Sequence, residues 1–405
     1  TLTIQNLIPE ISNTVLNATN VNNNTNQNLT LSWDISDTDS DSVKNITNWY
    51  LNGTSITVLN MPFEGGSNGT YTKDYSGLGN NGTVNGSTWN STGGYDGKGA
   101  YQFDGSDNIA IPDSDSWNFS NNDFSFSTWV YQTTSNTFTG IFATGTGASW
   151  IYNLIFYTEH SSGGGNITGW LVDNGDNAIQ FNTTATITLN QWEHLIVTRN
   201  GDTLYVYKNG VEIGNRDITG VTLRDPTGGA AIGTDNNDVA GNPFTGTMDE
   251  VMVWNTSLTP EQILNIYNNQ SYLLDANETS VGDIWHAEIT PNDGTEDGTT
   301  VTSGNVTITA ANTAPSVTTP TITPTTVYTN TTLTTNTTYT DTESDAGTVY
   351  FLWYRNGTNI YNQTNSSIAT GTEVIATLDS ANFSKDDLIN VSVYANDGTV
   401  DSSTV

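Results

Sequence analysis

The chain has 405 residues, enough for two or three domains, with no cysteine and nine Lys plus Arg against 42 Asp plus Glu, a formal charge of -33. That charge works against nucleic acid or an anionic bilayer as a partner and suits divalent cations, while the lack of cysteine excludes disulfide restraint. With 34% hydrophobic residues, 13% charged residues and abundant Asn, Thr, Ser and Gly, the composition suits many short strands with polar outer faces.

The opening "TLTIQNLIPEIS" has the pattern of "NVTITAANTAPSV" (Asn305 to Val317), which closes one module and leads to the next. Residues 1–8 are therefore expected to be a strand that completes a preceding or neighbouring module. Leu29, Leu31, Trp33 and Ile35 then alternate in "LTLSWDI", which predicts a strand with one buried face. The acidic "SDTDSDS" (Ser36 to Ser42) follows, then "WYLNGTSI" (Trp49 to Ile56). Between about residues 59 and 269 the NG pairs at Asn200-Gly201 and Asn209-Gly210 predict hairpin turns between alternating strands. One helix is expected, with Thr259 as N-cap, Pro260 at N1 and Gln262 at N3 in a capping box before Ile263, Leu264 and Ile266. Alternation resumes with Trp285, Ala287 and Ile289, and "NTAPS" (Asn312 to Ser316) reads as a linker.

An internal repeat organises these elements. "WYRNGTNI" (Trp353 to Ile360) repeats "WYLNGTSI" 304 positions later, whereas "LDSANFSKDDLINVSVYANDG" (Leu378 to Gly398) repeats "LDANETSVGDIWHAEITPNDG" (Leu274 to Gly294) only 104 positions later. The first copy therefore carries an insert of 200 residues that the second lacks. The expected organisation is a first module at 9–58 plus 270–311, an insert at 59–269 and a second module at 312–405, in which Ile389, Val391 and Val393 repeat the buried alternation.

The two modules resemble the immunoglobulin-like, PKD-like or cadherin-like repeats of prokaryotic, especially archaeal, cell-surface proteins. In the insert, "AYQFDGSDNIAIPDSDSWNFSNNDFSFSTWVY" (Ala100 to Tyr131), "NQWEHLIVTRNGDTLYVYKNGVEI" (Asn190 to Ile213) and "GTMDEVMVWNTSLTPEQI" (Gly246 to Ile263) occur in order. Together they resemble a laminin-G-like domain of the concanavalin A-like lectin/glucanase superfamily. The expected fold is all-β: two Ig-like β-sandwiches, the first interrupted by a jelly-roll laminin-G-like domain with one short helix. A jelly roll has its ends close together, so it can grow from a loop.

Structural Ca²⁺ is the expected cofactor, because hard cations take six to eight oxygens, roughly, and acidic loops at one end of a sandwich supply several. In the first module the expected ligands are Asp37, Asp39, Asp41, Asp293 and Asp297, and in the second Asp341, Glu343, Asp345, Asp397 and Asp401. Solvated acidic loops are the alternative reading. The resemblance to laminin-G-like domains implies one more calcium in the insert, on Asp104, Asp249 and Glu250, which Glu64 and Asp74 could join; an outward place on an edge strand is the alternative reading of Glu250.

The same superfamily implies carbohydrate binding, for which Trp150, Tyr152 and Trp170 offer a stacking platform; core packing is the competing role of each. About twenty Asn-x-Ser/Thr sequons, among them Asn17, Asn28, Asn52, Asn81, Asn118, Asn182, Asn255, Asn336 and Asn390, point to an exported glycoprotein, with compositional bias alone as the alternative reading. Catalysis is not expected: no Glu in the insert is followed two residues later by Asp, as the superfamily's retaining glucanases require, and His160, His194 and His286 stand alone. Gly163 to Gly165 has no following Lys and reads as a flexible loop. No apolar run is long enough to span a bilayer, and an extracellular, cell-surface location is expected.

The second module ends "NDGTVDSSTV", where the first continues "NDGTEDGTTVTSGNVTITAAN". Written head to tail, Val405 followed by Thr1 restores the missing strand, with Leu2 and Ile4 as the joint. Either a neighbouring copy donates that strand or the chain is one period of a covalent array; both give a head-to-tail filament of like copies. The other expected role is a carbohydrate-binding adhesin or an accessory module of a secreted polysaccharide-active enzyme, with surface glycans as partners.

Overall fold

A computed structural model describes residues 5–19, 23–146, 151–160, 165–226, 228–235 and 242–405, and of residues 146, 151 and 152 only the backbone. Leu2, Ile4 and Trp150, and the side chain of Tyr152, lie outside the described residues, as do Gly163 and Gly164. Among the described residues the regular structure is nearly all β, with one α-helix, and the chain divides into two compact units, Thr1–Thr309 and Ala310–Val405.

In the first unit, a three-stranded sheet (Glu10–Ala18, Leu29–Ser36 and Leu273–Leu274) faces a sheet built on the antiparallel pair Lys44–Leu51 and Ile284–Asn292. Alternation sets what is enclosed: Leu29, Leu31, Trp285, Ala287 and Ile289 are buried, while Ile35, at the end of its strand, is 42% exposed. Leaving this sandwich after Asn52-Gly53, whose positive φ angles of 51° and 83° make the tight turn that Asn-Gly favours, the chain enters the insert at Thr57–Met61.

Two eight-stranded sheets enclose the insert's own core, in which Phe126, Phe142, Phe156, Leu195 and Val253 are fully or almost fully buried. One sheet runs through Phe124–Gln132, Trp192–Asn200 and Thr245–Trp254; its outer face places Ile196, Tyr207 and Trp254 in the same apolar cluster as Trp49 and Trp285 of the sandwich. This shared core joins insert and host in one compact unit. Among the described residues, the apolar cluster outside the insert's other sheet, Ala143, Ile155 and Tyr157 with Phe138 and Trp170, includes no residue of the host.

Two local expectations are modified. The hairpin after Asn200 turns on Gly201-Asp202, because Asn200 still pairs with Thr203; Asn209-Gly210 forms the turn as expected, with φ of 51° and 77°. The helix Pro260–Tyr267 is capped by Thr259, whose Oγ1 accepts the Gln262 N–H at 3.2 Å. The reciprocal arm comes from Glu278, which accepts the Thr259 N–H at 2.7 Å, while the Gln262 side chain turns away to bond Leu273 and Asp275. A residue sixteen positions beyond Gln262 outcompetes it because the chain returns over the helix start.

The second unit is a smaller sandwich of two three-stranded sheets around Trp353, Phe351, Tyr339 and Val393. Its strand Ile389–Asn396 corresponds to Ile284–Asn292, but Ile389 and Val391 are half-buried where Trp285 and Ala287 are buried.

Candidate functional site

The outer face of this second sheet of the insert carries an aromatic cleft. On the strand Ile151–Glu159, Leu154 and Phe156 point into the core, so Ile155, Tyr157 and Glu159 point outward. Across the neighbouring strands Trp170 lies opposite Ile155 and next to Gln180, and Phe138 stands edge-on to Tyr157 at 5.5 Å. The Trp170 indole N–H donates to the Tyr157 hydroxyl at 2.7 Å, fixing the two rings relative to each other. Burial raises the pKa of the Tyr157 phenol, so it stays a neutral donor. Asp235 and Asn242, joined by an Asn242 N–H bond of 2.8 Å to Asp235, complete a cleft of about 450 Å³ with Glu159 and Gln180. A half-buried indole beside carboxylates and amides offers an apolar face and directed hydrogen bonds in one place.

The comparisons with known proteins bear on this half of the chain. Residues 103–264 match the family model described as Laminin_G_3, of the concanavalin A-like lectin/glucanases superfamily. The insert contains a concanavalin A-like lectin/glucanase domain. Among solved structures, the chain is similar to the binding domain of Paraclostridial Mosquitocidal Protein 1, at 19% identity and a TM-score of 0.44, over 53% of this chain and 52% of that one. It is also similar to domain 4 of AbnA, a GH43 extracellular arabinanase from Geobacillus stearothermophilus, in complex with arabinotriose, at 22% identity and a TM-score of 0.41, over 52% of this chain and 98% of that one. A further similarity is to the Ruminococcus gnavus IT-sialidase CBM40 bound to alpha2,3 sialyllactose, at 14% identity and a TM-score of 0.33, over 37% of this chain and 84% of that one. The chain thus spans about half the length, 52%, of the first of these. No curated protein matches it.

At the opposite side of the lectin-like domain, where it meets the host sandwich, lies an acidic nest. Among the described residues, Glu64, Asp96 and Glu250 form the one group of carboxylates whose ligand atoms all lie within 4.8 Å of one another. Asp249 lies beside them, fully buried, accepting the N–H groups of Tyr95 at 3.0 Å and Glu250 at 2.8 Å. The Lys44 ammonium, from the host strand, bonds Asp96 at 2.7 Å and Glu250 as well. Burial opposes its charge, but Glu250, Asp96 and Glu64 outweigh burial and hold the Lys44 pKa well above the ordinary lysine value. Glu64 is 1% exposed, has no donor to its Oε1, and is pushed up by burial to about 8 even though Lys44 opposes the rise.

Glu64, Asp249 and Glu250, expected as ligands, thus come together; Asp96 and Lys44 were not anticipated. Asp104 and Asp74 do not join them. Asp104 closes its own turn, accepting the N–H and hydroxyl of Ser106 at 2.9 and 2.7 Å. Asp74 is buried and accepts four hydrogen bonds, from the N–H groups of Asn60, Ser76 and Asn80 and the Ser76 hydroxyl.

The acidic loops of the two modules are arranged alike. Asp37 accepts the Asp41 N–H, and Asp341 accepts the Asp345 N–H; in both residues Oδ2 is buried without a donor. The entering linker bridges the loops in each copy: Asn6 donates to Asp293 at 2.7 Å and the Leu7 N–H to Asp39, as Asn312 donates to Asp397 at 3.0 Å and the Thr313 N–H to Glu343. Asp297 and Asp401 each accept the amide of the strand's last Asn, Asn292 or Asn396, and Asp297 is further held by Tyr75 and by Lys73 at 2.6 Å. In the second module burial, then Asp341, Asp397 and Asp345, push the phenol of Tyr339 up to about 12. Among the described residues, no three of these loop carboxylates offer ligand atoms within 4.8 Å of one another.

Among the sequons, Asn17, Asn52, Asn118, Asn182, Asn255, Asn336 and Asn390 are exposed, whereas Asn28 and Asn81 are half-buried and accept backbone N–H groups of Ala276 and Asp74. His194 is buried against Ser127 and driven by burial to about 3, so it is neutral; His286 stacks on Tyr50 at 4.6 Å. No helix among the described residues is long and apolar enough to cross a membrane.

Proposed function

We propose that the protein is a non-catalytic glycan-binding module of the cell exterior, in which a β-sandwich host presents the cleft of the lectin-like domain. The observation that carries this reading is the outward cluster of Trp170, Tyr157 and Phe138 ringed by Glu159, Gln180, Asp235 and Asn242, on the outer face of the insert's second sheet. Sugars offer C–H faces that stack on indoles and hydroxyls that bond carboxylates and amides. The exposed sequons support an exterior location. A glycan array should yield a ligand class, and Trp170→Ala should lower affinity for it at least about tenfold while the chain stays folded, with only a modest fall in melting temperature. An array without a hit, or a ligand bound equally by Trp170→Ala, would sink the reading.

A second reading, assembly into head-to-tail filaments, is favoured by one edge. In the first module Ile284–Asn292 is covered by Val301–Thr302 and Val306–Thr307, and Val306 and Ile308 are buried. In the second, Val393 exchanges N–H···O bonds with Val405 and Ala395 accepts one from Ser402, whereas Ile389 and Val391 stay half-buried. The sequence "TLTI" (Thr1 to Ile4) has the pattern of "NVTI" (Asn305 to Ile308), so Leu2 and Ile4 of another copy would take the places of Val306 and Ile308. Deleting residues 1–6 should leave monomers in light scattering; filaments formed without them would refute the donated strand. A very large species in denaturing electrophoresis of native material would mean that a peptide bond supplies it.

A further inference from the structure

The acidic nest gathers Glu64 and Glu250, two of the five carboxylates on which the family resemblance implies a calcium ion, yet the chain brings its own cation there. We infer that the Lys44 ammonium is the resident cation of the Glu64–Asp96–Glu250 nest, and that it holds the lectin-like domain to its host without metal. Three observations carry this.

The ammonium already bonds two of the three carboxylates, the positions a divalent ion would need. It is delivered from a strand end that pairs with Asn292, with only 12% of the side chain exposed, so it has little room to swing away. A divalent ion on the same oxygens would lie beside a like charge in a poorly solvated place. The donor set, rich enough for calcium by itself, therefore does not fit it while Lys44 is present.

The pattern also extends along the seam. The chain has five lysines, and three of them cross between insert and host: Lys44 to Asp96 and Glu250, Lys73 to Asp297 at 2.6 Å, and Lys98 to the Ser42 carbonyl at 2.8 Å. In a chain of charge -33, placing its scarce ammoniums at one internal joint is a consistent use of them. A tethered cation also cannot be lost to a chelator or to dilution, as calcium can.

The test compares calcium stoichiometry and melting in EGTA and in CaCl₂ for the natural chain, Lys44→Met, and Lys44→Met combined with Glu250→Gln. Lys44→Met should bind one more calcium ion per chain than the natural protein by titration calorimetry. It should melt roughly 5–10 °C lower in EGTA and recover with calcium, and the double variant should lose both gains. Should Lys44→Met fold only in calcium, that dependence supports the inference equally. Equal stoichiometry of Lys44→Met and the natural chain would overturn it. Independently of any variant, crystals of the natural chain soaked in calcium decide the point by anomalous scattering: an ion between Glu64, Asp96 and Glu250 refutes the inference, and its absence there supports it.

Discussion

Asp74→Ala is expected to destabilise the first unit by about 3–5 kcal/mol, equally in calcium and in EGTA. The carboxylate is buried and gathers the N–H groups of Asn60, Ser76 and Asn80, each at 2.9 Å, and the Ser76 hydroxyl at 2.6 Å. Alanine supplies none of these acceptors, and a buried donor left without a partner costs about 1–3 kcal/mol. Three backbone donors are orphaned at once, though partial relaxation keeps the sum below three full penalties. Asp74→Asn keeps the shape and one acceptor oxygen, so it should lose less than half as much. Urea denaturation followed by tryptophan fluorescence measures both. A loss seen only in EGTA would instead make Asp74 a metal ligand.

Asp74 illustrates what sequence alone can and cannot assign. Its proximity to the first strand of the insert was legible, but a carboxylate near other carboxylates looks the same whether it binds a cation or caps a turn. The distinguishing fact is that Asn60, Ser76 and Asn80 aim their N–H groups at it, and that depends on backbone conformation. The repeat was legible because two copies preserve spacing on either side of the insert, and strand alternation identified Leu29, Leu31, Trp285 and Ala287 as buried. Ile155 and Tyr157 escaped notice for a related reason. Leu154 and Phe156, their inward neighbours, are equally apolar, so the alternation that separates core from surface is silent on that strand. Lys44 left a weaker signal still: it belongs to the host module, and nothing in its flanking residues points to Glu250, 206 positions away.

The nest should also give the first unit a distinctive pH dependence. Burial lifts Glu64 from an ordinary 4.5 to about 8, with Lys44 lowering it and Glu250 and Asp96 raising it further. Folded Glu64 therefore keeps a proton that the unfolded chain releases above 4.5, and the folded state binds more protons through the window from about pH 4.5 to 8. Stability contributed by this group falls as pH rises through that window, by up to about 1.4 kcal/mol per unit, and is level on either side. Lys44, held far above the window, stays charged throughout and does not contribute to the slope. Glutamine cannot ionise and matches the shape of the protonated carboxyl, so Glu64→Gln should remove this part of the slope. The variant should be close to the natural chain at pH 4 and more stable by roughly 3–5 kcal/mol at pH 8–9. Asp397 acts with the opposite sign and in a separate window: burial raises it, but the Val400 N–H, Asn312 and Thr399 bring it down to about 2, so its contribution to the second unit is lost only below the ordinary 3.8. Denaturant titrations at pH 4, 6 and 8.5 distinguish the cases. If natural and Glu64→Gln chains have parallel profiles between pH 5 and 8, Glu64 is ionised in the fold and adds one more negative charge beside Lys44.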